Sequence, residues 1–308
     1  MTHARSLDSV HLSTPSIVSI GVFDGLHLGH QHLVRHLVAE ARASGRSAVV
    51  ISFHPHPDAV IHGITGRYYL TTPEERAAML LALGVDTVIT LPFDEALRRV
   101  RAADFVDQLV HHVSMTSLWV GSDFALGYRR EGNVVLLSEL GAARGFSVHT
   151  VDLLLAQNAA ISATGIRQAL AEGAVEQAAA WLGRPYAVSG EVVHGLARGR
   201  TIGFPTANVD VWDGLVLPAN GIYAGWASFD GQRYMSATNV GLRPTFNGSH
   251  VTVEAYLLDF DGDLYGRQIT VTFEARLRPE QRFSGVDALI AQIRADVEAA
   301  RALLQARP

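Results

Sequence analysis

A change of period divides the chain. From Ser16 to about Gly183, short apolar runs alternate with amphipathic helical segments; beyond that, until about Val286, only strand-like runs and turns occur. Strands alternating with helices make a parallel, doubly wound sheet, because each right-handed crossover lays its helix over a sheet face. Strands in unbroken succession favour a small antiparallel barrel. A chain of 308 residues has room for one of each. The expectation is an α/β domain over residues 1–184 and an all-β domain with a terminal helix over 185–308, with Gly183-Arg184-Pro185 as the helix stop between them.

The first half is organised around Gly21 to His30. Ser16 to Val22 reads as a buried strand, the Phe23-Asp24-Gly25 turn follows, and Leu33, Leu37 and Ala41 recur at helical spacing beyond it. A strand, a glycine turn and a helix N-terminus make an anion site, because free backbone N–H groups and the helix dipole point outward there. His27 and His30, flanking Gly29, add two donors. Ser47 to Phe53 is a second strand ending in His54-Pro55-His56-Pro57, which reads as a rigid pocket wall. No matching ligand cluster stands near these histidines in sequence, so zinc is not expected. Thr72-Pro73-Glu74-Glu75 is a capping box opening a helix that runs to about Leu83. Val85 to Leu91, Thr116 to Val120 and Val148 to Leu154 complete five strands, with a helical region from about Asp94 to Val113. The turns after Val22, Phe53 and Val120 fall along the edge of such a sheet where ligands bind. Arg129-Arg130-Glu131-Gly132-Asn133 follows the fourth strand, and Ser162, Thr164 and Arg167 sit at a helix start where they could hold phosphate oxygens.

Charge and composition narrow the function. The net charge is −5 with no basic tract, which argues against nucleic acid as a partner. There is no cysteine, so disulfides, thiolate metal sites and cysteine nucleophiles are excluded. All 25 basic residues are arginine, so a P-loop with its lysine is absent. No apolar stretch reaches membrane-spanning length and the first fifteen residues lack a signal-peptide pattern, so a cytoplasmic enzyme of small molecules is expected. Self-association is left open.

In the second half, Tyr186 to Val193, Ile222 to Phe229, Arg233 to Val240, His250 to Leu258 and Gln268 to Ala275 read as strands. Asp230-Gly231 and Asp261-Gly262 are hairpin marks between them. The terminal helix, Val286 to Leu304, carries Leu289, Ile290, Ile293 and Val297 on one face and should pack on the barrel. The loop from His194 to Asn208 holds Gly195, Gly199 and Gly203 with Arg198 and Arg200, a composition suited to a phosphate cradle of backbone N–H groups. Thr206 and Asn208 offer two neutral oxygens, which suits Mg²⁺ already carrying phosphate oxygens.

The motif Gly21-Val22-Phe23-Asp24-Gly25-x-His27-x-Gly29-His30 resembles the nucleotidylyltransferase signature in the form found in bacterial FAD synthetases. Phe53-x-Pro55-His56-Pro57, Val120-Gly121-x-Asp123-Phe124 and Ile161-Ser162-x-Thr164-x-Ile166-Arg167 follow in that family's order. His54 and Ala163 depart from it, standing where an acidic residue and a second hydroxyl are usual. The later loop, with Pro205-Thr206-Ala207-Asn208, Gly221-Ile222-Tyr223-Ala224, Asn239-Val240-Gly241-x-Arg243-Pro244-Thr245-Phe246 and Glu254-Ala255-Tyr256, resembles riboflavin kinase, with Tyr256 where histidine is usual.

The two resemblances imply a bifunctional enzyme with a Rossmann-like nucleotidylyltransferase domain and a kinase barrel. The barrel would move the ATP γ-phosphoryl to riboflavin, and the first domain would adenylylate FMN to FAD, releasing pyrophosphate. Implied substrate contacts are Gly21, Phe23, Asp24, Gly25, Gly29, His56, Gly121, Asp123, Phe124, Ser162, Thr164 and Arg167 in the first domain. In the second they are Gly195, Gly199, Arg200, Gly203, Pro205 and Asn239. His27 and His30 would donate to the triphosphate, Glu254 would be the base, and Thr206 and Asn208 would hold Mg²⁺. A kinase with an inactive or differently specific nucleotidylyltransferase domain is the alternative.

Overall fold

The computed structural model describes residues 1–152, 154–156, 159–195, 198–245 and 248–306. By its contacts the chain forms two compact units, Met1–Ala163 and Thr164–Pro308.

The first unit follows the alternating pattern. Its elements are β1 (Thr2–Ala4), β2 (Ser16–Ile20), α1 (Leu28–Ser44), β3 (Ser47–His54), α2 (Pro57–His62), α3 (Pro73–Ala82), β4 (Thr87–Pro92), α4 (Glu95–Arg98), α5 (Ala102–Val113) and β5 (Met115–Gly121). A small hairpin, β6 (Ala125–Leu126) and β7 (Gly132–Asn133), precedes α6 (Val134–Arg144) and β8 (Ser147–Val151); β9 (Leu155–Ala156) and β10 (Ala159–Ala160) form a second short pair. Six parallel strands lie in the order β1-β4-β3-β2-β5-β8. Alternation along each strand explains why the central ones read as continuous apolar runs. Val18, Val49 and Ile51 face a core with Phe105, Leu109 and Leu137 of α5 and α6, whereas Ile17, Ala48 and Val50 face α1 and α3.

Strand β1 and helix α6 of this unit carried no strong sequence signal. Strand β1 lies in what reads as a polar tail, and joins the sheet edge through register pairs Thr2↔Thr87 to Ala4↔Ile89. Helix α6 has no clean apolar stripe, with Val135 left 68% exposed, so its period is masked.

The second unit begins with α7 (Ala163–Glu172) and α8 (Val175–Leu182), followed by β11 (Tyr186–Val193), the short α9 (Arg198–Thr201), β12 (Ala207–Val211), β13 (Gly221–Phe229), β14 (Gln232–Thr245), β15 (Gly248–Leu257), β16 (Gln268–Phe273), β17 (Ala275–Pro279) and α10 (Val286–Gln305). Strands β13, β14, β15, β12, β11 and β16 pair in that cycle, closing a six-stranded antiparallel barrel, and β17 adds to β13. Closure removes the free edges that an open sheet would expose. Helix α10 packs Ala300 and Leu304 against Ala224, with Trp226, Met235 and Leu277 around them. Its buried positions are Asp296, Val297, Ala300 and Leu304, so contact concentrates in the later turns; Asp296 pairs with Arg278 at 2.7 Å.

One of the two expected hairpins is present. Asp230 (φ 48°) and Gly231 (φ 75°) make the two-residue turn joining β13 to β14, where Phe229 pairs with Gln232. Asp261-Gly262 is not a hairpin: β15 pairs with β12 and β14, and β16 with β11 and β13. Here the chain crosses the barrel end, fixed by Phe260 against Phe229 and Tyr234 and by Arg301 donating to Asp259. A dipeptide reports a local bend, and tertiary packing decides which strands it joins.

Candidate active sites

At the first site, the turn after β2 is held from below. Asp24 is 1% exposed, and its carboxylate accepts from Leu70 N–H (3.0 Å to each oxygen), Thr71 N–H (3.1 Å) and the Thr71 hydroxyl (3.2 Å). Gly25 N–H donates to the same hydroxyl, at 3.2 Å. Phe23 (φ 55°), Gly25 (φ 72°) and Leu26 (φ 40°) all lie in the left-handed region, a sharp bend that the buried carboxylate network over-determines. Asp24 therefore shapes the turn, and α1 starts immediately beyond it.

His27 caps α1. Its Nδ1 accepts from His30 N–H (3.3 Å), so a neutral His27 carries its proton on Nε2. The His27 and His30 rings are stacked, with centroids 3.6 Å apart and planes 19° from parallel, and Phe23 meets His30 edge-on at 5.1 Å. A Cβ at Gly29 would stand 3.2 Å from the His27 ring and 3.9 Å from the carbonyl of Ile161. Glycine thus lets the imidazole lie on the first turn of α1 and brings the Ile161-Ser162 segment to the foot of that helix.

Burial, reinforced by His27 and the guanidinium of Arg76, pushes the His30 pKa well below its ordinary value of 6.5. Its Nδ1 is buried without a hydrogen-bond partner among the described residues. Such an atom carries a desolvation penalty unless a ligand or water meets it. Arg76, 1% exposed, donates to the carbonyls of Val22 (2.7 Å) and Phe53 (3.2 Å) and to Ser52 Oγ (3.2 Å), tying together the ends of β2 and β3.

Of the other first-half candidates, His56, Gly21, Gly121, Asp123 and Phe124 lie at or just beyond the carboxyl ends of strands of the same sheet. His56 caps α2, its Nδ1 accepting from Asp58 N–H (3.1 Å), and its own N–H donates to the Tyr69 hydroxyl (3.0 Å). Gly21 follows β2, where a Cβ would press on the Phe23 ring at 3.1 Å. Gly121 ends β5, where a Cβ would stand 3.1 Å from the Asp123 carboxylate, and Phe124 N–H donates to its carbonyl (3.1 Å). Ser162 immediately precedes α7, and Thr164 and Arg167 lie in its opening turns. Sequence reasoning missed Tyr69, Thr71 and Arg76. Only the capping box just before Arg76 marked that region, and nothing local announces a contact 47 residues distant.

The second site is read from strand register. Asn208 on β12 pairs with Glu254 on β15, and Glu254 pairs in turn with Asn239 on β14. The three residues form a lateral row across adjacent strands. Their neighbours Ala207, Val209, Val253, Ala255, Thr238 and Val240 are buried, whereas the row is only partly so, which sets it on the outer face of the barrel. Directly opposed side chains in such a ladder stand about 5 Å apart at Cβ.

The glycine-rich loop comes down over this row. A Cβ at Gly195 would collide with the side-chain amide of Asn208, and one at Gly199 would lie 3.5 Å from Thr206 Oγ1. The segment is compact: Ile202 and Phe204 N–H groups return to the Gly199 carbonyl (3.2 and 2.8 Å), and Gly203 adopts φ 87°. Arg200 and Pro205 are exposed beside it. Leu196, Ala197 and Phe246 of the quoted motifs lie outside the described residues. Sequence reasoning missed the His194–Tyr265 stack at 3.8 Å and Phe204 set edge-on to Tyr256 at 5.4 Å, because aromatics distant in sequence give no spacing signal. Among the described residues no group of three or more His, Cys, Asp or Glu side chains gathers to hold a metal. Thr206 and Asn208 are neutral oxygen donors, the set that fits a magnesium ion bringing its own water and phosphate ligands.

Comparison with known proteins finds two families along the chain. A family model for FAD synthetase matches residues 10–165 and one for riboflavin kinase matches residues 182–304. Proteins named bifunctional riboflavin kinase/FMN adenylyltransferase are similar along nearly the whole chain. The one from Pseudomonas fluorescens is 39% identical over 93% of this chain and 92% of its own. That from Escherichia coli K12 is 39% identical over 92% and 91%, and that from Listeria monocytogenes 35% over 93% and 91%. A solved structure described as a macrolide-efflux protein from Streptococcus pneumoniae superposes with TM-score 0.88 at 30% identity, covering 97% of this chain and 98% of that one. No described helix of the present chain is long and apolar enough to cross a membrane.

Proposed function

The chain belongs to the bifunctional riboflavin kinase/FMN adenylyltransferase family, and from that premise we propose which of its residues perform each reaction. It phosphorylates riboflavin with ATP and adenylylates the resulting FMN to FAD. Matches to both halves do not favour a kinase with an idle first domain. In our assignment residues 1–184 adenylylate, residues 185–308 phosphorylate, and both work in the cytoplasm on small molecules, without nucleic acid or membrane.

Adenylyl transfer needs no protein nucleophile, because the FMN phosphate attacks the ATP α-phosphorus and pyrophosphate leaves with the bonding electrons. The protein's task is to position groups and stabilise charge on phosphate oxygens. His27, protonated on Nε2, and His30, kept neutral by its surroundings, each offer one N–H to the triphosphate. The N-terminus of α1 adds backbone donors. Gly21, Phe23, Gly25 and Gly29 shape the floor, with Asp24 holding the turn. His56, Gly121, Asp123, Phe124, Ser162, Thr164 and Arg167 supply the remaining contacts.

Phosphoryl transfer to riboflavin does need a base, because an alcohol is a weak nucleophile. Glu254 takes the proton of the ribityl hydroxyl, flanked by Asn208 and Asn239. Gly195, Gly199, Arg200, Gly203 and Pro205 form the phosphate cradle. Thr206 and Asn208 would hold Mg²⁺, which when bound neutralises phosphate charge. The observation that carries the reading is the row Asn208–Glu254–Asn239, which sets a carboxylate between two amides beneath a glycine loop. Product analysis with riboflavin and FMN as separate substrates tests it.

A further inference from the structure

The turn at Tyr128–Arg130 takes no part in the assignment above, yet it is one of the most constrained pieces of the first unit. Arg129 (φ 56°) and Arg130 (φ 58°) are consecutive non-glycine residues in the left-handed region. Two such residues in succession are strained, and strain persists only where the surroundings over-determine it.

Those surroundings are explicit. Strands β6 and β7 close the turn from both sides, pairing Ala125 with Asn133 and Leu126 with Gly132. Tyr128 N–H donates to the Val100 carbonyl (2.9 Å). The Glu131 carboxylate accepts from Arg101 Nε (2.7 Å) and from Ala102 N–H (2.8 Å), pinning the hairpin to the start of α5. Glycine at 127 and 132 is required there, because a Cβ would overlap Ala102, at 2.6 and 2.7 Å.

What this clamp presents is positive charge. Both arginines are exposed, and among the described residues neither has a carboxylate partner, unlike Arg42, Arg101, Arg144, Arg278 and Arg301. The Arg129 guanidinium lies 5.2 Å from the Tyr128 ring centroid, and Arg130 Nη2 donates to the Asp123 carbonyl (3.2 Å), which ties the turn to the loop leaving β5.

Topology says what that charge faces. Strands β2 and β5 are parallel neighbours, and the chain runs from β2 to β3 on one side before crossing to β5 on the other. Their carboxyl ends therefore flank the switch point of the sheet, where ligands of such folds sit. Helix α1, with His27 and His30, rises from the β2 side against the face covered by α1 and α3. The hairpin follows β5 and is fixed to α5, on the opposite face. The crevice thus has the histidine pair on one side and two exposed guanidinium groups on the other, and the adenylyl reaction brings two separate phosphate groups together.

We propose that the Arg129–Arg130 turn docks the phosphate dianion of the acceptor, FMN, opposite the histidines that hold the ATP triphosphate. This rests on the adenylyltransferase assignment above. Two guanidinium groups offset the repulsion between the attacking dianion and the triphosphate and aim its oxygen at the α-phosphorus; paired charge-assisted bonds suit a phosphate. The bond formed is FMN oxygen to α-phosphorus, and the bond broken is α-phosphorus to the bridging oxygen of pyrophosphate.

The test is steady-state FAD formation from FMN and ATP-Mg by Arg129→Gly and Arg130→Gly chains, with riboflavin phosphorylation followed in parallel. Glycine accepts positive φ, so the backbone turn is relieved while the charge is lost. KM for FMN should rise about tenfold or more in each variant, with KM for ATP and the kinase rate unchanged. Arg130→Lys should recover part of the loss. A rise in KM for ATP instead would assign the turn to the triphosphate and overturn the proposal, as would unaltered constants. If the unaltered protein makes no FAD from FMN, the adenylyltransferase assignment fails rather than this one.

Discussion

The imidazoles of His27 and His30 lie face to face, 3.6 Å between centroids, at the first turn of α1. One hydrogen bond, from His30 N–H to His27 Nδ1, fixes the pair, and Gly29 between them leaves the space. Replacing His30 by Ala should lower kcat for FAD formation from FMN by about a hundredfold or more, the scale of losing one positioned donor to transition-state charge. Riboflavin phosphorylation should continue at the unaltered rate. Unchanged FAD formation would remove His30 from the mechanism.

Stacking and burial also make His30 a reporter of pH. Its pKa in the folded chain lies well below 6.5, so on acidification the unfolded chain takes up this proton first. Between the depressed folded value and 6.5 the unfolded state binds more protons, and stability falls as pH is lowered. Denaturant melts of the ligand-free protein from about pH 7.5 to 5 should show this slope, and His30→Asn should flatten it. Equal slopes would contradict the burial argument.

Asn208, Glu254 and Asn239 share one register row, with Glu254 in the middle. Glu254→Gln preserves shape and removes the proposed base, so riboflavin phosphorylation should fall by about a hundredfold to ten-thousandfold. FAD formation from added FMN should be spared. Equal loss of both products would contradict the division of labour.

Gly195 has no room for a side chain, because a Cβ would collide with the Asn208 amide. Gly195→Ala should displace that amide, lower kinase activity about tenfold or more and raise the Mg²⁺ concentration needed, since displacing the proposed ligand Asn208 weakens metal and nucleotide together. Melting temperature and FAD formation from FMN separate this from unfolding, and both should hold near the unaltered values.

The fold class was legible because period is a global property. Alternation and its loss placed the parallel sheet and the barrel, and glycine turns after β2 and β5 marked the ligand edge. Contacts that close over long separations were not legible: Asp24 with Leu70 and Thr71, Arg76 with Val22 and Phe53, and the Asn208–Glu254–Asn239 row, which exists only once three strands align. Asp261-Gly262 misled for the same reason, since a bend does not specify its partners.

The segment between the two family matches yields a further prediction. Arg276 on β17 donates to the Glu172 carbonyl of α7 (3.2 Å) and to the Asn220 carbonyl (2.7 Å), and Ala219 N–H donates to the Leu170 carbonyl (2.8 Å). A fragment spanning 164–308 should therefore melt several degrees above one spanning 185–308, on the order of 1–2 kcal/mol for a domain this size. Both should phosphorylate riboflavin if the kinase machinery lies beyond residue 184. Loss of that activity in the shorter fragment, with its fold retained, would move the functional boundary into α7 or α8.

The central claim, two successive transferase reactions in one chain, is tested most directly by chromatography of the products formed from ATP-Mg with riboflavin and, separately, with FMN. The account predicts FMN followed by FAD in the first reaction, and FAD with stoichiometric pyrophosphate in the second. FMN accumulating without FAD, even when FMN is supplied directly, would contradict it.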